Sequence, residues 1–246
     1  MLVPTVIYGF HALTTQLTNA ANTVDVLYIT DARQDKRLAT IVELAKTKGI
    51  KIEVVPTRKL DQLAHAENHQ GVVGFLNQSR VYNESEIGSL LQDIDNKTLI
   101  LVLDGVQDPH NLGACLRSAD GAGVRFVIAP KDNACGLTPV VKKVASGAAE
   151  LVPFIQVTNL ARTLRLFQEK GIWLVGLDDQ AETDLYQTDL DLPCAIVLGA
   201  EGSGLRRLTK KHCDYLTHIP MQGSVSSLNV SVAAGISLFE ARRQKS

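Results

Sequence analysis

The sequence predicts an α/β protein in two parts: a C-terminal domain on a mostly parallel sheet and a small N-terminal αβ domain. Three observations carry this. From Leu99 onward, short apolar runs alternate with amphipathic stretches of helical period, the pattern of a sheet with helices on both faces. The run Leu99–Leu103 is five consecutive apolar residues, which suits a strand buried on both sides. Residues 77–96 break the rhythm with Gln78, Ser79, Asn83, Glu84, Ser85 and Glu86, a polar stretch that reads as a linker.

In chain order, residues 7–17 form a short opening element that passes through Tyr8-Gly9-Phe10-His11 into a helix carrying Leu13 and Leu17. Val24–Ile29 is a strand. Asp35–Lys48 is a helix with Leu38, Ile41, Val42 and Ala45 on one face and Gly49 just past its end. Ile52–Val55 is a strand, Leu60–Ala66 a short helix and Gly71–Leu76 a strand. The order α-β-α-β-α-β describes a small αβα sandwich over residues 1–78. The linker takes 79–96, and 97–246 form the second domain. There the strands are Leu99–Leu103, Phe126–Ala129, Leu151–Gln156, Trp173–Leu177, Ala195–Leu198 and Tyr215–Ile219. The helices are Asn111–Ala122, one opened by Thr138-Pro139, Thr158–Lys170 closed by Gly171, and Ser226–Arg243.

Composition narrows the classes of function. With 45% hydrophobic and 21% charged residues, the chain matches an ordinary globular protein rather than a disordered one. No apolar run approaches the roughly 18 residues of a membrane span, so no membrane association is expected. The opening MLVPTVIYGFHA lacks a basic n-region and an apolar h-region, which points to the cytoplasm. Cys115, Cys135, Cys194 and Cys213 form no C-x-x-C pair, as expected for free thiols and no structural zinc. His65 and His69 flank Glu67 at helical spacing, but no third ligand joins them and no metal is expected. The net charge of −1 gives no global sign of a nucleic-acid partner. Any RNA contact must be local, and Arg33, Lys36, Arg37, Arg58 and Lys59 are candidates for it.

Three loops at strand ends carry the chemistry. The first reads DGVQDPHNLGACLRSADGAGV, with Asn111 at a helix start and Arg117 nearly two turns on. By itself it fits a capped helix with a solvated arginine equally well. The second, AIVLGAEGSG, is a strand running into a glycine-rich turn with one acid, Glu201. It is not G-x-G-x-x-G, so a nucleotide-dependent oxidoreductase is disfavoured. The third, QGSVSSLNVS, packs serines and Asn229 at a helix start, more polar side chains than a cap requires.

Together, DPHNLGACLRSA, LGAEGSG and IPMQGSVSSLNVSVAAG resemble the three motifs of the SpoU (TrmH-type) family of RNA ribose 2′-O-methyltransferases, in order and spacing, across Leu99–Arg243. YGFHA and HQGVVGF in the first part are similar to the substrate-binding domain of the branch that acts on a guanosine in the peptidyl-transferase loop of 23S rRNA. The resemblance implies a trefoil-knotted (SPOUT) catalytic domain, an L30e-like N-terminal RNA-binding domain, a homodimer and S-adenosylmethionine as methyl donor. It implies Arg117 as general base or activator, with Asn111 and Glu201 holding arginine and substrate. It places Ser227 and Asn229 at the reaction centre, and Gly199, Ile219 and Leu228 along the cofactor. A tRNA-directed enzyme of the same family, or an RNA-binding protein without catalysis, are the alternatives.

Overall fold

A computed structural model describes residues 5–19, 24–33, 35–64, 69–76 and 82–246. They divide into two units, one within residues 1–80 and one within 81–246.

The first unit has a four-stranded sheet ordered β1-β4-β2-β3, from β1 (Thr5–Tyr8), β2 (Val24–Thr30), β3 (Lys51–Val55) and β4 (Val72–Leu76). Strands β2 and β3 are parallel, while β4 runs antiparallel to both β1 and β2. Helices α1 (Phe10–Asn19) and α2 (Lys36–Thr47) cover one face, burying Leu13, Leu17, Leu38 and Ile41 against Leu27 and Val72. Helix α3 (Thr57–Ala64) covers the other with Leu60 and Ala64 against Val55 and Val73. This is the expected sandwich with one addition. The opening element splits at Gly9 (φ +86°) into an edge strand and a helix. Such a left-handed backbone suits glycine and ends the strand sharply.

The second unit absorbs most of the stretch read as a linker. Glu84–Glu86 form a 3₁₀ turn and Ile87–Leu90 form α4. Ile87 and Leu91, 2% and 4% exposed, sit in this unit's core. Its seven-stranded sheet runs β7-β6-β5-β10-β8-β11-β9, and every pairing in it is parallel. The strands are β5 (Leu99–Asp104), β6 (Val127–Pro130), β7 (Phe154–Val157), β8 (Trp173–Leu177), β9 (Thr183–Asp184), β10 (Cys194–Gly199) and β11 (Tyr215–His218). The helices are α5 (Pro109–Gly121), α6 (Pro139–Ala145), α7 (Ala148–Leu151), α8 (Leu160–Glu169), α9 (Arg207–His212) and α10 (Val230–Gln244).

The two-residue period of a strand sorts β5 and β10 cleanly. Leu99, Leu101, Leu103, Ile196 and Leu198 face one layer, with Leu112, Cys115 and Leu116 of α5 and Ala234 and Leu238 of α10. Ile100, Val102, Ala195 and Val197 face the other, with Leu164 and Phe167 of α8. Strands buried on both faces read as continuous apolar runs, which is why Leu99–Leu103 is so plain in the sequence.

Two consequences position the site. Parallel strands place all their carboxyl ends at one edge. Strand β10 lies between β5 and β8, and β8 between β10 and β11, so the loops after these four strands meet there. Helix α5 is then held close to α6 at Gly113, where an added Cβ would lie 2.7 Å from Val144 Cβ and 2.9 Å from the Val141 carbonyl. For Gly113→Ala, the helix-propensity gain of about 1 kcal/mol is outweighed by an overpacking cost of about 1–3 kcal/mol. Urea unfolding of that variant is expected to show a net loss of up to about 2 kcal/mol; equal or greater stability would contradict this packing.

Candidate active site

Asp108, not Asn111, caps α5. Its Oδ1 accepts the N–H groups of His110 (2.6 Å) and Asn111 (3.2 Å), and Pro109 fills the first helical position. Asn111 therefore sits in the first turn with its side chain free for other use. That use is a long-range contact: Asn111 Nδ2 donates to Glu201 Oε2 at 3.1 Å. Asn229 Nδ2 donates to Glu201 Oε1 at 2.6 Å and to Asn111 Oδ1 at 2.9 Å. The three side chains form a closed ring from the loops after β5, β10 and β11.

Asn229 is itself fixed. It caps α10, its Oδ1 accepting Ser231 N–H at 2.9 Å and Ser231 Oγ–H at 2.6 Å. The helix thus begins at Val230 rather than Ser226, and Ser226–Leu228 run free of it along a cavity. This cavity of about 590 Å³ falls within the range of small-molecule sites, about 300–1,000 Å³. Gly199, Glu201, Ile219, Ser227 and Leu228 all line it.

The glycine loop is built from backbone. Residues 200–204 turn back on themselves, Gly204 N–H donating to the Ala200 carbonyl at 2.9 Å. A Cβ at Gly199 would lie 2.0 Å from the Gly204 carbonyl carbon, so only glycine fits. Asp104, at the end of β5, latches the far side of this loop. It is 1% exposed, its Oδ2 accepts Arg206 N–H at 3.0 Å, and Arg206 Nε lies 3.5 Å from Oδ1. The cavity also takes in Asp178 and Lys210, an ion pair, and His218. His218 Nδ1 lies 2.9 Å from the Thr183 carbonyl; a carbonyl only accepts, so Nδ1 carries the proton.

Arg117 stands apart. It is exposed on α5, has no hydrogen-bond or ion-pair partner among the described residues, and does not line the cavity. The site therefore joins Asn111, Glu201 and Asn229 directly. It gathers Ser227, Gly199, Ile219 and Leu228 around one hollow and leaves Arg117 outside it. Burial pushes the thiols of Cys115 and Cys213 up to about 12 and that of Cys194 to about 11, so none is a nucleophile near neutral pH. His65 and Glu67 lie outside the described residues. Among those described, no group of three or more His, Cys, Asp or Glu is placed to hold a metal.

Against known proteins, the profile of the SpoU rRNA methylase family matches residues 98–239, and that of RNA 2′-O ribose methyltransferase substrate binding matches residues 6–82. The chain belongs to the SpoU rRNA methylase family. Within the family it is 52% identical over 240 residues to the 23S rRNA (guanosine-2′-O-)-methyltransferase RlmB of Shewanella oneidensis, covering 98% of this chain and 97% of that one. The RlmB of Escherichia coli K12 is 50% identical over 240 residues, covering 98% of both. The crystal structure of the SpoU methyltransferase AviRb from Streptomyces viridochromogenes superposes with a TM-score of 0.67. It spans 98% of this chain and 90% of that one at 23% identity, a likeness of fold.

Sequence reading missed Asp104, Arg206, Asp178 and Lys210. Asp104 had one visible signal, an acid closing a fully apolar strand. Arg206 is 102 residues away from it, and nothing local marks the pairing.

Replacing Asn229 by Asp would exchange an amide donor for a second carboxylate 2.6 Å from Glu201. Such a pair raises one folded-state pKa above its unfolded value, so stability is full below about pH 4 and lost as pH rises through the raised pKa. The melting temperature of Asn229→Asp is expected to approach the parent's near pH 4 and fall below it by pH 7. A gap independent of pH would argue against the contact.

Proposed function

We propose that the chain transfers a methyl group from S-adenosylmethionine to the ribose 2′-hydroxyl of a guanosine in the peptidyl-transferase loop of 23S rRNA. The observation that carries this reading is the Asn111–Glu201–Asn229 ring, whose Glu201 lines the cavity. It sits in a chain that shares half its residues, end to end, with proteins named for this reaction.

The cavity fits the methyl donor. Its wall includes the Gly199–Gly204 loop, where a side chain at Gly199 is excluded, with Leu198, Ile219 and Leu228 as apolar surface. Gly199, Ile219 and Leu228 would hold the donor, largely through backbone groups. Once bound, S-adenosylmethionine supplies a methyl group on a sulfonium and needs no metal. The chain must then orient a weakly nucleophilic hydroxyl and stabilise charge as its proton leaves.

Arginine stays protonated near neutral pH, so Arg117 acts as a cation rather than as a base. Its exposed, unpartnered guanidinium suits a phosphate beside the target ribose, bound through two parallel N–H groups. Asn111 and Asn229 fix Glu201 by both oxygens and keep the loops in register. Ser227 brings a hydroxyl to the cavity wall.

The same reading includes a trefoil knot in the C-terminal segment, an RNA-gripping role for residues 1–78, action in the cytoplasm and a homodimer. Val232 and Phe239, seven residues apart on α10 and 48% and 53% exposed, offer apolar surface to a second copy.

Incubating the full chain and labelled S-adenosylmethionine with 23S rRNA or with tRNA tests the substrate. Labelling of a single guanosine ribose in 23S rRNA is expected; labelling of tRNA alone would move the chain to the tRNA-directed alternative. Arg117→Lys keeps the charge but loses the planar fork. It is expected to lower kcat/KM by on the order of 10²-fold while leaving S-adenosylhomocysteine affinity within about twofold. Near-normal transfer by this variant would remove Arg117 from the bidentate role.

A further inference from the structure

Strand β8 lies between β10 and β11, so its carboxyl end opens between the glycine loop and the Ile219–Leu228 loop. The first residue beyond it is Asp178. Its side chain is 8% exposed and lines the cavity. Its backbone N–H donates to the Thr217 carbonyl at 2.9 Å, tying it to β11. Oδ1 accepts Gln180 N–H at 2.9 Å, and Oδ2 pairs with Lys210 of α9, another residue of the cavity wall. Burial pushes this carboxyl up, but the Lys210 ammonium and the Gln180 N–H outweigh it and leave it below the ordinary carboxylate range.

The other acids in the cavity are differently disposed. Glu201 has an amide on each oxygen, and Asp179 is exposed. An ionised carboxylate offers about four acceptor positions. In Asp178 two are in use, and its charge is matched by Lys210. Such a pair does not call for a cation. Its remaining lone pairs suit neutral hydroxyl donors, and the site is where open parallel sheets bind ligands, at the carboxyl ends of central strands.

We propose that Asp178, held in place by Lys210, accepts hydrogen bonds from the ribose hydroxyls of the adenosine moiety of the methyl donor. This rests on the reading of the cavity as the S-adenosylmethionine site. Asp178 thereby distinguishes an adenosine ligand from its deoxy counterpart, while the backbone of the glycine loop and the apolar wall serve the rest of the molecule.

The test is calorimetric titration of the full chain with S-adenosylhomocysteine and with its 2′-deoxy and 3′-deoxy counterparts, which reads binding without turnover. In the natural chain, loss of a hydroxyl bound to Asp178 is expected to weaken affinity by on the order of tenfold, the size of one hydrogen bond to a charged group. In Asp178→Ala, affinity for S-adenosylhomocysteine falls by a similar factor and the deoxy penalty shrinks to within about twofold, the non-additivity expected of groups in contact. Asp178→Asn keeps size and one acceptor, so its penalty falls part-way; it carries the comparison if the alanine variant does not fold. A deoxy penalty as large in the folded variants as in the natural chain overturns the assignment of Asp178 and leaves the cavity reading standing. Failure of the natural chain to bind S-adenosylhomocysteine overturns both.

Discussion

Glu201 is the point on which the site turns. Each of its oxygens receives one amide hydrogen, from Asn111 in the first turn of α5 and from Asn229 at the cap of α10. These residues are separated by 90 and 28 positions in the chain. They meet because β10 is inserted between β5 and β8, which brings the loops after β5, β10 and β11 to one edge. Hydrogen bonds to a charged acceptor are among the stronger polar contacts, about 1.5–3 kcal/mol when shielded. With Glu201 and Asn229 exposed, the ring contributes chiefly by fixing geometry. Asp104 does the corresponding work below it, with Arg206 tying the end of the glycine loop to the end of β5.

Around this ring the protein divides its labour between a rigid sheet and a cavity walled by loops at its carboxyl edge. The central strands β5 and β10 are buried on both faces, so their positions are over-determined by packing. The loops they carry are short and polar. Gly199 is where the two meet: a methyl group there would strike the Gly204 carbonyl carbon. A glycine turn lets main chain approach a ligand closely. Hydrogen bonds join Asn111, Glu201 and Asn229, an ion pair joins Asp178 and Lys210, and apolar residues such as Ile219 and Leu228 supply cavity wall.

Much of this was legible in the sequence, and the boundary of what was not has physical causes. Strand β8 matches its expected span of Trp173–Leu177, and β5 differs by one residue, because doubly buried strands leave unbroken apolar runs. Short elements left no periodicity to read: α7, α9 and β9 have four, six and two residues. Ile87 and Leu91 are too few among polar neighbours to announce a core segment, yet the second unit buries both. Two caps were displaced. Asp108 precedes Asn111 and takes the helix N–H groups, which frees Asn111 for Glu201; Asn229 caps an α10 that begins four residues past the expected Ser226. Motif residues were readable as a set, but the ring that joins three of them depends on strand order. Strand order is fixed by contacts far apart in sequence, as is the Asp178–Lys210 pair. Arg117 was readable as a motif residue and is placed outside the cavity.

Under the proposed function, the loops after β8, β10 and β11 at the carboxyl edge of one parallel sheet form a single site for the methyl donor. Backbone hydrogen exchange of the full chain, with and without S-adenosylhomocysteine, tests it most directly. The account predicts slowed exchange concentrated in residues 177–180, 199–204 and 219–228, with the amides of the first unit unchanged. Unchanged exchange in those three loops at saturating ligand, or protection centred elsewhere in the chain, would contradict it.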